Sequence, residues 1–250
     1  MSRLVLSLVT AFFGNVFLAS GSTTTINWSS VTWPTGSLSQ TYSNVVITIS
    51  GSTSALNSST SPAIAGNLGG TGRNSLQIAP TFTLATQSLT VTINFSAAVP
   101  AGVYLRNLNI LSIDSNSGAN WVDRLTTIQG TLASGGTVNA VAVAGSSSNS
   151  VTGNASSGWV VTGTGTVGGT SASGNVSVSF GNDRVKQISF TFLNQNVVLG
   201  GAQLFGLDNI TFDSTPEVLP GLIGAVFCGL VLTAEFWRNR RRRAPRAPTQ

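Results

Sequence analysis

The chain has 250 residues and a formal net charge of +5, yet only 8% of its residues are charged, against about 25% in ordinary soluble domains. A typical cytosolic protein is therefore excluded. There is no histidine and only one cysteine, Cys228, which excludes an intrachain disulfide, His-dependent triads and His-ligated zinc.

The first element in chain order is a predicted signal peptide, residues 1–21. Arg3 precedes an apolar run at 4–18, and small residues follow at 19–21. A positive start, a short apolar run and small residues are typical of a secretory signal. We expect cleavage after Gly21, which leaves Ser22 as the mature N-terminus. An uncleaved N-terminal anchor is the alternative, although the run is short for a membrane span.

Residues 22–214 predict an all-β domain, because apolar and polar residues alternate over short stretches that are joined by Gly, Ser and Asn. Many short strands at near-regular spacing favour an antiparallel β-sandwich, jelly-roll-like in arrangement. The stretch 146–174 is rich in Gly, Ser and Thr and is expected to form loops around a strand at Trp159. The predicted strands are 26–33, 44–51, 89–96, 103–113, 122–133, 137–144, 158–163, 175–181, 185–193 and 203–213.

The charge of this predicted domain is balanced, with five basic and five acidic residues between Gly21 and Ser214. The basic excess lies at the chain ends, mainly in an arginine cluster after residue 237. A nucleic-acid partner would require the basic residues to form a patch on the domain. We therefore expect no nucleic acid to bind it.

One loop offers candidate metal ligands. Asp114 and Asn116 lie between two predicted strands and Asp123 lies at the start of the second; together they supply the hard oxygen atoms that calcium prefers. The alternative is structural. Asp114 and Asn116 would then shape an Asx turn, and Asp123 would pair with Arg124 or with a backbone donor.

The sequence contains few residues that could act in catalysis. Glycoside hydrolysis requires two carboxyl groups that face one reaction site, and the domain has five aspartates and no glutamate. Asp123 and Asp183 each adjoin an arginine and Asp213 lies at a strand end before the C-terminal segment, which favours the ionised carboxylate at these three places. Asp114 and Asp208 remain as the one candidate pair, so we expect no enzymatic activity.

Two further patterns have structural explanations. The run 163–168 matches the G-x-G-x-x-G dinucleotide fingerprint, but a strand pattern follows where the fingerprint requires a helix. Four tryptophans precede residue 215, and tryptophans on an exposed sheet face can stack on sugar rings. A core or loop-anchoring role is the main expectation for most of them. These tryptophans are Trp28, Trp33, Trp121 and Trp159.

Residues 215–250 have the layout of a membrane anchor. The apolar segment 218–237 begins at Val218, ends at Trp237 and is long enough for one transmembrane helix. Arginines after it predict a cytoplasmic tail by the positive-inside rule, so the domain lies outside the cytoplasmic membrane. The cluster comprises Arg238, Arg240, Arg241, Arg242 and Arg243, followed by Arg246.

This C-terminal arrangement resembles the PEP-CTERM sorting signal of exported bacterial proteins. Pro216 and Glu217 match the first two motif positions, a transmembrane stretch follows, and an arginine cluster ends it. The order of motifs within the domain is also similar to the sandwich domain that many members carry. The residues of that second likeness are 111–114, 123–126, 128–131 and 205–212.

The resemblance implies an exosortase as partner and transport to the cell surface or an exopolysaccharide matrix. We expect an exported, membrane-tethered or surface-sorted protein with a structural or matrix-associated role and no catalytic activity. The alternative is a cell-surface carbohydrate-binding module, assisted by calcium. A glycan-active enzyme is the third and least favoured hypothesis.

Overall fold

The computed structural model describes residues 21–95, 99, 101–116, 118, 120–196 and 202–214. They belong to one unit, Gly21–Thr215, and within them the chain forms seventeen β-strands and three 3₁₀ turns. The strands are β1 (Thr23–Ile26), β2 (Ser39–Tyr42), β3 (Val45–Gly51), β4 (Ala63–Gly66), β5 (Asn74–Ile78), β6 (Ser88–Asn94), β7 (Val103–Asn107), β8 (Asn109–Leu111), β9 (Asp123–Leu132), β10 (Thr137–Asn139), β11 (Ala142–Gly145), β12 (Asn149–Asn154), β13 (Gly158–Gly163), β14 (Val176–Ser179), β15 (Arg184–Asn194), β16 (Phe205–Leu207) and β17 (Ile210–Ser214).

These strands form two antiparallel sheets, which confirms the all-β prediction and is consistent with a β-sandwich. The large sheet has the order β1-β17-β7-β15-β6-β3-β2. Its strand β9 pairs with β15, β10 and β13, and β13 pairs with β12. The small sheet has the order β11-β14-β8-β16-β5-β4.

Alternation along the strands creates the buried face, as the sequence predicts. In β6, Leu89, Val91 and Ile93 are fully buried, and the residues between them are partly exposed. Successive side chains of a strand point to opposite faces of the sheet, so a strand such as β6 gives its apolar residues to the core and its Ser and Thr residues to the other face.

One hydrophobic core joins the two sheets. Phe192 of β15 stacks on Phe205 of β16, with ring centroids 4.1 Å apart, and Phe190 approaches the same ring at 6.3 Å. Phe82, which follows β5, lies 6.0 Å from Phe192. All four rings are buried. These contacts bury large aromatic surfaces, which dominate core energetics.

Three long predicted strands are each divided between the two sheets. The predicted strand 103–113 is β7 in the large sheet and β8 in the small sheet, and 137–144 and 203–213 divide in the same way. The chain crosses between sheets at Leu108, Ala140 and Asp208, all of which are buried. The buried alternation shifts phase at two of these crossings, between Leu105 and Leu108 and between Leu207 and Ile210. Because apolar residues stand on both sides of each crossing, the sequence indicated one strand in each case.

The predicted strand 26–33 is wrong beyond Ile26. The Asn27 side chain accepts a hydrogen bond from the Ser29 backbone N–H at 3.0 Å, which begins a turn. Trp28 and Trp33 are buried, with ring centroids 6.4 Å apart. They anchor loops to the core, as expected.

The stretch predicted to form loops, 146–174, contains a strand that the sequence did not indicate. β12 pairs with β13 from Asn149↔Gly163 to Asn154↔Gly158. It carries one apolar residue, Val151, so it has little alternating pattern. The prediction of β13 itself, 158–163, is confirmed.

The two ends of the described unit lie side by side. Strand β1 pairs with β17, and the Ser214 backbone N–H donates to the Ser22 carbonyl at 2.9 Å. The Ser22 N–H donates in turn to the Ser214 side chain at 3.3 Å. The first strand therefore lies at the edge of the large sheet, and the last strand is its neighbour.

Residues 1–20 of the predicted signal peptide and the predicted membrane helix lie outside the described residues, as do Pro216, Glu217 and the arginines from Arg238 to Arg243. Across the part of the chain that the structure describes, no helix has the length and apolar character needed to cross a membrane.

Candidate functional site

The structure brings Asp114 and Asp123 together, and we call these two residues the carboxyl pair. Asp114 follows β8 and Asp123 begins β9. The Asp123 backbone N–H donates to the Asp114 carbonyl at 2.9 Å, and the Asp114 N–H donates to Asp123 Oδ2 at 3.3 Å. These two hydrogen bonds thus hold together the two ends of the loop between β8 and β9.

Burial is the largest cause of the pKa shifts of the two carboxyl groups in the carboxyl pair. Asp114 is 5% exposed and Asp123 is 0% exposed. Burial raises the pKa of Asp114 to about 6, although hydrogen bonds from Val167 and Asp123 oppose this shift. Burial and the neighbouring charge of Asp114 raise the pKa of Asp123 well above its usual range. Both shifts disfavour two ionised carboxylates at this place.

The expectation that Arg124 keeps Asp123 ionised is wrong. Neighbouring residues of a strand point to opposite faces, so Asp123 faces the core while Arg124 is partly exposed. The described residues contain two ion pairs, Arg73–Asp208 and Arg106–Asp213. The expectation of a backbone donor to Asp123 is correct, because the Asp114 N–H fills that role.

The glycine-rich run 163–168 forms a loop against the carboxyl pair. The Val167 N–H donates to Asp114 Oδ2 at 3.1 Å, and the Ser115 N–H donates to the Gly165 carbonyl at 3.1 Å. A short 3₁₀ turn, Ala172–Gly174, and then β14 follow this loop. No dinucleotide-binding helix begins after it, which confirms the rejection of the fingerprint.

Gly163 allows the loop to approach Asp114 closely. A Cβ atom added at Gly163 would lie 2.0 Å from the Asp114 carbonyl oxygen, whereas one at Gly168 would have no atom within 4 Å. Neither glycine has a left-handed φ, so the two sites differ in contact and not in backbone strain.

Gly163→Ala is therefore expected to lower the free energy of unfolding by about 1–2 kcal/mol through overpacking, while Gly168→Ala leaves it nearly unchanged. Urea unfolding of both variants checks this. Equal stabilities for the two variants would contradict the described contact between Gly163 and Asp114.

Asn116, the third predicted metal ligand, organises the loop. Its Oδ1 accepts hydrogen bonds from the Asn120 N–H at 2.7 Å and from the Trp121 N–H at 3.3 Å. This is the turn-forming role that asparagine side chains commonly take. Among the described residues, no group of three or more His, Cys, Asp or Glu side chains is placed to hold a metal ion.

Two buried uncharged residues, Asn194 and Gln203, were not predicted from the sequence. Asn194 of β15 is the paired residue of Asp123 in β9 and is buried. Its Oδ1 accepts the Val122 N–H at 2.9 Å, and its Nδ2 has no hydrogen-bond partner. Gln203 is 1% exposed, and neither of its side-chain polar atoms has a partner.

A sequence signal exists for Asn194, because it continues the buried phase of Phe190 and Phe192 in β15. The signal is weak in a chain this rich in Asn and Ser. For Gln203 we find no sequence signal that would have predicted its burial.

Asp208 belongs to a different arrangement from the one that the sequence left open. Arg73 Nε and Nη2 donate to its two carboxylate oxygens at 2.8 and 2.6 Å. Burial alone would raise the pKa of Asp208, but hydrogen bonds from Arg73 and the Asn209 N–H lower it below its usual value. Asp208 therefore forms an ion pair with Arg73, whereas the hydrogen-bond partners of the Asp114 carboxylate are Asp123 and Val167.

Comparison with family models, curated proteins and solved structures found no match.

Proposed function

We propose that this protein is an exported β-sandwich, jelly-roll-like in arrangement, that is tethered at the cell envelope and has a structural or matrix-associated role without catalysis. Residues 1–21 direct export, and the segment from Val218 to Trp237 holds the chain in the membrane. Pro216, Glu217 and the arginines from Arg238 to Arg243 form the sorting signal that an exosortase reads.

The observation that carries this proposal is the pairing of the two ends of the domain. Hydrogen bonds join Ser22 and Ser214, so cleavage after Gly21 leaves the new N-terminus held within the sheet. The chain continues from β17 toward the anchor. The two ends of the domain are neighbours in the large sheet, which suits a domain that is exported from one end and tethered by the other.

The uncharged outer surface of the domain suits close packing of many copies at the cell surface. Uncharged hydroxyl pairs cross neighbouring strands, including Thr25 with Thr211 at 3.0 Å and Ser39 with Thr48 at 3.1 Å. Cross-strand pairs of this kind stabilise a sheet. Because the charges of the domain balance, copies held close together at a surface do not repel one another through net charge.

The contacts of the aspartates also support a non-catalytic role. Asp208 pairs with Arg73, Asp213 pairs with Arg106, and the carboxyl pair is buried against backbone N–H groups. Each of these four carboxyl groups has a structural role. An acid and a base that face a substrate cleft would be required for glycoside hydrolysis.

The carbohydrate-binding alternative receives little support from the tryptophans. Trp28 and Trp33 are buried, and Trp28 Nε1 donates to the Asp208 carbonyl at 2.9 Å. Trp159 is half-buried and its Nε1 donates to the Ala140 carbonyl at 2.7 Å. Trp28 and Trp33 are thus used within the domain, whereas Trp121 and Trp159 are partly exposed.

Deleting residues 219–250 is expected to move the protein from the membrane fraction to the periplasm or medium, because the apolar segment supplies the attachment. Deleting only 244–250, which keeps the apolar segment and the arginines from Arg238 to Arg243, is the control and should leave the protein in the membrane. Fractionation followed by immunoblotting checks both. Retention of the 219–250 deletion in membranes would contradict the tether.

A further inference from the structure

Strand β12 is the longest edge strand of the described sheets. In these sheets the strands that pair on one side only are β1, β2, β4, β10, β11 and β12. The other edge strands have three or four residues, whereas β12, Asn149–Asn154, has six. A very short edge is one way in which proteins avoid pairing with other chains. Strand β12 therefore lacks a protection that the other edges have.

The other common protections are also missing from β12. Edge strands are often blunted by charged side chains, by proline or by a bulge. Residues 149–154 contain no charged residue and no proline, and the pairing with β13 runs without a register shift. The charged residues that lie on described strands belong to β7, β9, β15 and β17, each of which has a neighbour on both sides. The sequence of β12 thus does not oppose the addition of another strand.

The backbone of Val151 points away from β13. The Thr164 N–H donates to the Ser148 carbonyl at 2.9 Å. In an antiparallel pair, residues that are hydrogen-bonded to the partner strand alternate with residues that are not. Val151 lies three positions after Ser148 and is paired with Val161, so its N–H and C=O are directed outward. No described strand pairs with β12 on that side.

Val151 is also the centre of the available edge. The same alternation directs the backbones of Asn149 and Gly153 outward. The Asn149 N–H already donates to the Ser146 carbonyl at 3.2 Å, and Gly153 has a left-handed φ of 92° beside the hairpin turn. Strand pairing through this edge is therefore expected to be centred on Val151.

The side chains of β12 leave its backbone edge open. Ser150 and Thr152 are exposed. The Val151 side chain packs against the core, where a Cβ atom added at Gly145 of β11 would lie 2.8 Å from Val151 Cγ2. Side chains stand roughly perpendicular to a sheet, so β11 lies against the inner face of β12 and not along its backbone edge.

We propose that β12 pairs in antiparallel fashion with β12 of a second copy of this chain, so that the two large sheets become continuous. The two-fold axis passes beside Val151, and Ser150 of one copy faces Thr152 of the other. Such an interface uses the same strand on both sides, so a charged residue in it would bring like charges close together, which is unfavourable. The absence of charge from residues 149–154 and the balanced charge of the domain suit pairing between copies.

This inference goes beyond the proposed function and does not depend on it, because strand pairing requires neither export nor a membrane anchor. Its failure would leave the proposed export and tether untouched. In a tethered protein, the pairing would join neighbouring copies at the cell surface.

The test compares two double substitutions in the purified full-length protein in detergent. Ser150→Lys with Thr152→Lys places lysines opposite each other across the pair and is expected to weaken self-association by about tenfold or more. Ser39→Lys with Thr41→Lys is the matched control, because it makes the same changes at exposed positions of the short edge strand β2. The control should associate as the wild-type protein does. Sedimentation equilibrium measures the Kd of each protein.

A mixture of oppositely charged variants tests whether the partner is a second copy. Ser150→Glu with Thr152→Glu should also weaken self-association. Mixing this variant with the β12 lysine variant should restore dimers, because lysine on one copy then faces glutamate on the other, and the restored dimer shows that both variants fold. A monomeric wild-type protein, equal association of the two lysine variants, or no dimer in the mixture would overturn the proposal.

Discussion

Replacing Arg73 with alanine is expected to lower the free energy of unfolding by about 2–3 kcal/mol, because it leaves the Asp208 carboxylate buried without its cation. The Asp208 side chain is 2% exposed and the Arg73 side chain is 47% exposed. The exposed side of Arg73 moderates the effect through solvent screening. The loss is still expected to be large, because the Asp208 side chain is 2% exposed and loses two hydrogen bonds from Arg73.

Arg106→Ala is the matched control for that prediction. It removes an arginine–aspartate pair of the same length, 2.6 Å, but the Arg106 side chain is 58% exposed and that of Asp213 is 22% exposed. Surface pairs of this kind contribute little, so we expect no measurable change. Urea unfolding of the two variants at pH 7 gives the comparison. Equal losses would show that burial of Asp208 does not decide the effect.

Lowering the pH from 7 to 5 in EDTA is expected to stabilise the domain by about 1–3 kcal/mol. Burial raises the folded-state pKa of Asp114 from 3.8 to about 6 and raises that of Asp123 in the same direction. The folded state therefore binds protons more tightly than the unfolded state in this range. Stability is highest when the pair is protonated and falls as the pH rises through the folded-state pKa.

Below about pH 4 the direction reverses, because the pKa of Asp208 is lowered in the folded state and protonation then removes its stabilising charge. Asp114→Asn should weaken the dependence between pH 5 and 7, since an amide at this position carries no charge, whereas burial still raises the pKa of Asp123. Unfolding midpoints at both pH values check this. A domain in EDTA that is more stable at pH 7 than at pH 5 would contradict the described carboxyl pair.

Strand prediction succeeded where one face of the strand is buried along its full length. In β6 and β15 the buried positions recur every second residue, and this period is visible in the sequence. It failed where the chain passes between sheets, because Leu108 and Ala140 are buried at the crossings. An apolar residue at such a corner looks the same as one within a continuous strand.

The candidate site was found from the sequence only in part. The loop position of Asp114 and Asp123 suggested that they lie close together, and the structure agrees. Their protonation could not be predicted, because it depends on burial and not on the sequence neighbour Arg124. The partnership of Arg73 with Asp208 spans 135 residues, and no local pattern reports a contact at that separation.

Mass spectrometry of the protein recovered from cells tests the central claim most directly. Export with removal of residues 1–21 predicts a mature chain that begins at Ser22, the residue whose backbone hydrogen-bonds to Ser214. The protein should be found in the membrane or at the surface. Recovery of a chain that still begins at Met1 and remains in the cytoplasm would contradict the account of an exported, tethered domain.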